Sequence, residues 1–253
     1  MARKKMGYSS PIADDAPDSL EEHTFFGLKL NPGQTVFRDA IWNSKNKIVF
    51  CDAAAGTGKT MIATAAAVLL VKTGQFDEIV YLQTAVNSEK EGYLPGGIDL
   101  KARAYMTPFF QALQRIGVNI NTALHTEDML NDKNGTAYIT CMTDSYNRGM
   151  NVGEPDGSKR VVYILDESQN MNRPNLVKNL TRVCDFSKTI VIGHHLQNDL
   201  KNPKDSAFVP MLEHFRGKDW CEICTLTDNY RGDVSRWADQ FKEKNNIEVK
   251  IDR

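Results

Sequence analysis

Between Ala53 and Thr60 the chain reads AAAGTGKT, a run that combines small side chains, two glycines, a cation and a hydroxyl in an order suited to gripping phosphate. A loop that wraps phosphate oxygens must turn successive backbone N–H groups inward, which demands little side-chain bulk and backbone angles that favour glycine. Gly56 and Gly58 meet that demand, Lys59 supplies a mobile cation for β- and γ-phosphates, and Thr60 offers a hydroxyl to Mg²⁺. A helix starting at Thr60 would add the positive end of its dipole. The usual pattern opens with Gly six residues before the Lys. Here Ala53 stands at that position, so modest strain rather than loss of the loop is expected. Ala53, Ala54, Ala55, Gly56, Thr57, Gly58, Lys59 and Thr60 are therefore expected to line the phosphates of a nucleotide.

A second cluster, VVYILDESQN, ends an apolar run with Asp166 and Glu167. Two carboxylates at the edge of a buried sheet suit Mg²⁺ and an attacking water. Asp166 would hold the metal partly through its water shell together with Thr60, and Glu167 would orient or deprotonate the water. The run KTIVIG then leads into His194, His195 and Gln197. Nucleotide-hydrolysing motors commonly carry a polar γ-phosphate sensor at that place, and Gln197 is the candidate. His194 and His195 are left open as catalytic groups, nucleic-acid contacts or ordinary loop residues.

These residues need a scaffold that brings distant segments to one edge. Short apolar runs at Lys47–Cys51, Glu78–Gln83, Thr136–Met142, Arg160–Leu165, Lys188–Ile192 and Cys221–Leu226 read as strands. Helical patterns at Thr60–Thr73, about Lys101–Arg115, about Pro174–Val183 and Asp233–Glu243 alternate with or follow them. Continuous apolar runs such as KIVF, VVYIL and TIVI fit strands buried on both faces. The implied fold is α/β, a doubly wound, mostly parallel sheet with helices on both faces. In such a sheet ligands bind beyond the carboxyl ends of the strands. The stretches 87–100 and 143–159, rich in Gly and Pro, read as long loops.

Residues 1–23 hold few large apolar side chains and several Pro, Ser and acidic residues, and read as a flexible N-terminal arm ahead of a single domain, 24–253. The chain has 253 residues, 41% apolar and 25% charged, with a formal net charge of −1. That near-neutrality excludes a global basic field, so any nucleic-acid binding needs a local patch. The longest apolar stretch, 62–71, falls short of the roughly 20 residues of a membrane span. The basic N-terminus has no apolar core behind it, so no membrane partner and a cytoplasmic setting are expected. Five scattered cysteines argue for reduced thiols, and the Cys221/Cys224 CxxC reads as core packing.

The order of motifs resembles the PhoH-like ATPases, themselves similar to the first motor domain of superfamily 1 helicases, over about residues 30–240. LNPGQ is similar to the family's entry motif, which implies that Gln34 reads adenine. Gly92-Tyr93-Leu94-Pro95-Gly96, followed by Lys101, Tyr105 and Pro108, resembles the family's G-F-L-P-G stretch. Arg148-Gly149 resembles an Arg-Gly motif, and ILDESQN stands for L-D-E-A-Q-N. Two departures are plain: Ala53 replaces the first Gly, and the G-D-x-x-Q sensor becomes Gly193-His194-His195-Leu196-Gln197. Slower or differently triggered hydrolysis is the expected consequence. NYR is similar to a helicase motif whose Arg contacts the γ-phosphate, favouring Arg231 over Arg236.

The resemblance implies a RecA-like P-loop core that binds ATP and Mg²⁺ and couples hydrolysis to RNA or single-stranded nucleic acid. It also implies a homo-oligomer, a hexameric ring in which a neighbour supplies the arginine. Two other functions stay open: a nucleotide-gated binding module with little turnover, and a small-molecule phosphotransferase. Tyr93, Tyr105, Phe109 and Phe110 near Lys101 and Arg103 either stack bases or pack a helix on the core.

Overall fold

Apolar, largely β-branched runs build six strands: β1 (Ile48–Ala53), β2 (Glu78–Gln83), β3 (Ile139–Thr143), β4 (Val161–Asp166), β5 (Lys188–Gly193) and β6 (Cys221–Leu226). The computed structural model describes residues 25–84, 106–125, 133–143 and 151–244 of the chain. The expected arm, the GYLPG stretch, Lys101, Arg103, Tyr105 and Arg148-Gly149 lie outside the described residues.

The strands form one sheet in the order β3-β2-β4-β5-β1-β6, and every pairing in it is parallel. Each parallel neighbour must be reached by a crossover, and the helices of those crossovers cover both faces. In chain order they are α1 (Pro32–Trp42), α2 (Lys59–Lys72), α3 (Thr107–Arg115), α4 (Ile120–Ala123), α5 (Arg173–Leu180), α6 (Phe208–Phe215) and α7 (Asp233–Lys244). The side-chain period of two divides each strand between two cores. Val49, Cys51, Tyr81, Ile164 and Ile192 pack under α1, α2 and α3, whereas Ile48, Phe50, Tyr163, Leu165 and Val191 pack under α5 and α6. This is the RecA-like α/β arrangement of a P-loop fold.

β2 and β6 have the expected ends, β1, β4 and β5 differ by one or two residues, and β3 starts three residues later than expected, at Ile139. β1 extends to Ala53 because Ala53 is in register with Leu226 of β6. Three helices, α1, the one-turn α4 and α6, were not anticipated. Helix α1 starts inside LNPGQ, where Asn31 caps it: the Asn31 side chain accepts the Gln34 N–H and the Gln34 side chain accepts the Asn31 N–H. Helix α6 is short and carries Pro210, which masks its periodicity, yet it buries Phe208 and Leu212.

Phe109 is fully buried and stacks on Tyr81, with centroids 4.0 Å apart and planes 9° from parallel, and Phe110 packs partly buried on the same core. For Phe109 the core alternative holds. Cys224 is buried, and all five cysteines are free thiols. Among the described residues no helix is long and apolar enough to cross a membrane.

Candidate active site

The carboxyl edge of the sheet gathers the residues singled out above. Helix α2 begins at Lys59 with Gly58 as its N-cap, and no side chain caps it. Its first N–H groups therefore face the loop, as an anion-binding helix end requires. Gly56 and Gly58 have φ of +80° and +87°, a region that favours glycine. A Cβ on Gly56 would come within 2.6 Å of Asn229 Oδ1 and 2.9 Å of Arg231 Cγ, and one on Gly58 within 2.9 Å of Gln34 Nε2. The loop is thus a cradle that side chains would fill. Thr57 steadies it by donating its hydroxyl to the Ala54 carbonyl at 2.8 Å.

Strand β4 delivers Asp166, which is 2% exposed. Its Oδ2 accepts the Thr60 hydroxyl at 2.9 Å and the Tyr81 hydroxyl at 2.9 Å, and its Oδ1 accepts the Glu167 N–H at 2.8 Å. Burial pushes the Asp166 carboxyl above its ordinary range and Glu167 adds to that, while Lys59, the Tyr81 hydroxyl and the Glu167 N–H pull it back. Burial and the same carboxylate raise Tyr81 well above its usual value. The Thr60 hydroxyl and the Asp166 carboxylate in contact offer hard oxygen donors suited to a divalent cation, and the nearby Lys59 suits an anion such as phosphate.

Glu167 adopts left-handed backbone angles, φ 53° and ψ 36°. Strain of this kind costs about 1–3 kcal/mol and persists where surrounding contacts impose it. Here the Glu167 N–H donates to Asp166 Oδ1 at 2.8 Å and the Glu167 carbonyl accepts the Asn170 N–H at 3.0 Å, and Gln169 holds the neighbouring groups. Its Nε2 donates to Glu167 Oε2 at 2.6 Å and to the Gln197 carbonyl at 3.1 Å, and its Oε1 accepts the His194 N–H at 3.1 Å. Gln197 is therefore joined to the acidic strand through its main chain.

Gln34 lies against the phosphate loop, its Nε2 donating to the Thr57 carbonyl at 2.9 Å while its Oε1 closes the α1 capping box. After β6 the chain returns to the same loop: the Tyr230 N–H donates to the Gly56 carbonyl at 2.8 Å, and the aliphatic stem of Arg231 passes over Gly56. Arg236 instead pairs with Asp233 within the first turns of α7. The structure thus brings Gln34, Lys59, Thr60, Asp166, Glu167, Gln197 and Arg231 to one edge. A separate cleft of ≈ 950 Å³, lined among others by Arg173, Val177, Met211 and Phe215, includes none of them.

Sequence reasoning missed Tyr81, Gln169 and Asn229. Gln169 sits inside the quoted LDESQN string and Asn229 inside NYR, so a closer reading of those strings was the available signal. Nothing local marks Tyr81, whose partner lies on another strand.

The family model described as PhoH-like protein matches residues 29–241. The chain belongs to the PhoH-like family. Among curated relatives, a PhoH-like protein of Bacillus subtilis is 32% identical over 183 residues, 72% of this chain and 53% of that protein. A PhoH-like protein of Mycobacterium leprae is 29% identical over 224 residues, 87% of this chain and 60% of that protein. This PhoH-like chain thus spans about half the length of the curated relatives it matches. Among solved structures, the HK97 bacteriophage large terminase is similar with a TM-score of 0.49 and 10% identity, covering 85% of this chain and 43% of that one.

Proposed function

We propose that the chain is an Mg²⁺-dependent ATPase whose hydrolysis is coupled to RNA or single-stranded nucleic acid. The observation that carries the hydrolytic half is the 2.9 Å contact between Thr60 Oγ1 and Asp166 Oδ2. It joins the phosphate loop to the acidic strand although β5 separates their strands, and Glu167 follows immediately. Residues Ala53 to Thr60 grip the phosphates, with Lys59 on the β- and γ-phosphates. Thr60 and Asp166 would hold Mg²⁺, which neutralises phosphate charge when bound. Glu167, tied to Gln169, orients the attacking water, and Gln197 reports on the γ-phosphate from the loop beside it. Gln34 serves the nucleotide site through its hold on the Thr57 carbonyl of the phosphate loop. Arg231 stabilises developing charge, its stem over Gly56 supporting it ahead of Arg236.

Family membership supports the nucleic-acid half, a homo-oligomer of ring form, and a cytoplasmic setting. A second reading, a nucleotide-gated module with little turnover, draws support from the buried His194 where the family sensor carries Asp. The deciding experiment is ATP hydrolysis by the purified chain with and without single-stranded RNA and single-stranded DNA. Stimulated Mg²⁺-dependent turnover supports the motor; nucleotide binding without turnover, restored by His194→Asp, supports the gated module.

A further inference from the structure

The loop between Gly193 and Gln197 carries no acidic residue of its own, and a carboxylate from the neighbouring strand holds it. Asp52 on β1 immediately precedes the phosphate loop and is in register with Gly193 of β5. Its Oδ1 accepts the His195 backbone N–H at 3.1 Å, and its Oδ2 lies 2.6 Å from His195 Nδ1. Because the partner is a carboxylate, Nδ1 carries the proton, so one side chain fixes both the main chain and the ring of His195. On its other side the same loop is held by Gln169, which bonds the His194 N–H, the Gln197 carbonyl and the Glu167 carboxylate. Gly193 leaves no room between them: a Cβ there would meet Gln169 Oε1 at 2.8 Å.

The loop is therefore fastened to the phosphate-loop strand at His195 and, at His194 and Gln197, to the turn that follows the acidic strand. Strands β1 and β4 have no pairing with each other, since β5 lies between them. We propose that Asp52 and His195 are a positioning pair that holds this loop in line with the phosphate loop and, through Gln169, fixes the Glu167 carboxylate for the hydrolytic step. The pair rests on the hydrolysis proposed above. Its competitor is a half-exposed ion pair with no kinetic role, since the His195 side chain is 45% exposed.

The two are separated by steady-state ATP hydrolysis of the full chain with saturating Mg²⁺, comparing Asp52→Asn, His195→Ala and His195→Asn. Displacing a reacting group's support by a fraction of an ångström to about 1 Å costs roughly 10- to 100-fold in rate. That loss is expected in kcat for Asp52→Asn and His195→Ala, with KM within about twofold, because the phosphates are still gripped by the loop. Asn at 195 keeps an N–H close to the place of Nδ1 and is expected to stay within about threefold of the parent rate. Unchanged kcat, KM rising as kcat falls, or His195→Asn as slow as His195→Ala overturns the positioning pair. A readout independent of turnover is the Gln169 side-chain amide resonance in ¹⁵N-labelled protein, which Asp52→Asn is expected to shift. A stationary Gln169 resonance overturns the pair even if the chain hydrolyses no ATP, whereas an inactive parent protein with a shifted resonance refutes the ATPase assignment alone.

Discussion

Gly58→Ala tests the cradle most directly. The position has φ +87°, and a Cβ there would stand 2.9 Å from Gln34 Nε2. Holding a left-handed backbone costs Ala about 1 kcal/mol more than Gly. Gln34 is 5% exposed and its amide is engaged at both ends, by Asn31 and by Thr57. Moving it to make room loses the bond to the Thr57 carbonyl and leaves buried polar groups poorly paired, about 1–2 kcal/mol. The sum is about 2–3 kcal/mol, and charged to the phosphate-gripping conformation it weakens nucleotide binding roughly 30- to 150-fold. The assay is calorimetric titration with ADP or a non-hydrolysable ATP analogue in Mg²⁺, alongside urea unfolding. Gly33→Ala is the paired control. It lies in the first turn of α1, its added Cβ meets nothing closer than 3.6 Å, and it is expected to leave binding unchanged while gaining about 0.5–1 kcal/mol of stability. Binding by Gly58→Ala within about threefold of the parent protein, or equal loss in Gly33→Ala, refutes the cradle argument.

Glu167→Gln is expected to keep nucleotide binding and lower turnover at least about 100-fold, while Lys59→Ala weakens binding; equal, mild losses in both assays would overturn those two roles. Tyr81→Phe removes a hydroxyl from the buried Asp166 while leaving the stack on Phe109, and is expected to cost about 1–3 kcal/mol in urea unfolding. The third concerns Lys188, whose Nζ donates to the carbonyls of Asn43 at 2.8 Å and Asn46 at 2.6 Å and whose burial lowers it from 10.5 to about 8. Below pH 8 folded and unfolded chains both hold the proton. Between about 8 and 10.5 the unfolded chain holds more, so this group makes stability rise with pH, by about 3 kcal/mol in all. Cys221 and Cys224, raised to about 11 and about 12 by burial, act in the opposite sense, so the readout is the difference between the parent protein and Lys188→Met. Parallel stability–pH curves for the two proteins would refute it.

The strands were legible because their burial is two-sided: β4 and β5 are buried at every position, so each writes a continuous apolar run into the sequence. Helix α2 was legible for the same reason, its alanines letting it lie close on the sheet. Helix α1 was hidden by its own start, where Asn-Pro-Gly reads as a turn, although Asn31 followed by Gln34 is the spacing of a capping box. The phosphate loop and the acidic pair were local strings and therefore readable. What joins them was not: Tyr81 reaches Asp166 from another strand, and Asp52 reaches His195 across the sheet. Such contacts depend on strand order, which no short motif encodes.

That strand order also has a bearing on how the chain acquires its activity. The strand that carries the phosphate loop is bonded on one side to residues 188–193 and on the other to residues 221–226, and Tyr230 then bonds the loop itself. None of its neighbours is local in sequence. Topologies of this kind fold slowly, because long loops must close before the central pairings form. On the ribosome the hydrogen-bonding edges of this early strand must wait until residues 188–226 have emerged. A nascent chain stopped short of β6 is therefore expected to present the whole AAAGTGKT motif and yet fail to retain nucleotide, so that nucleotide capture marks the completion of synthesis of this region.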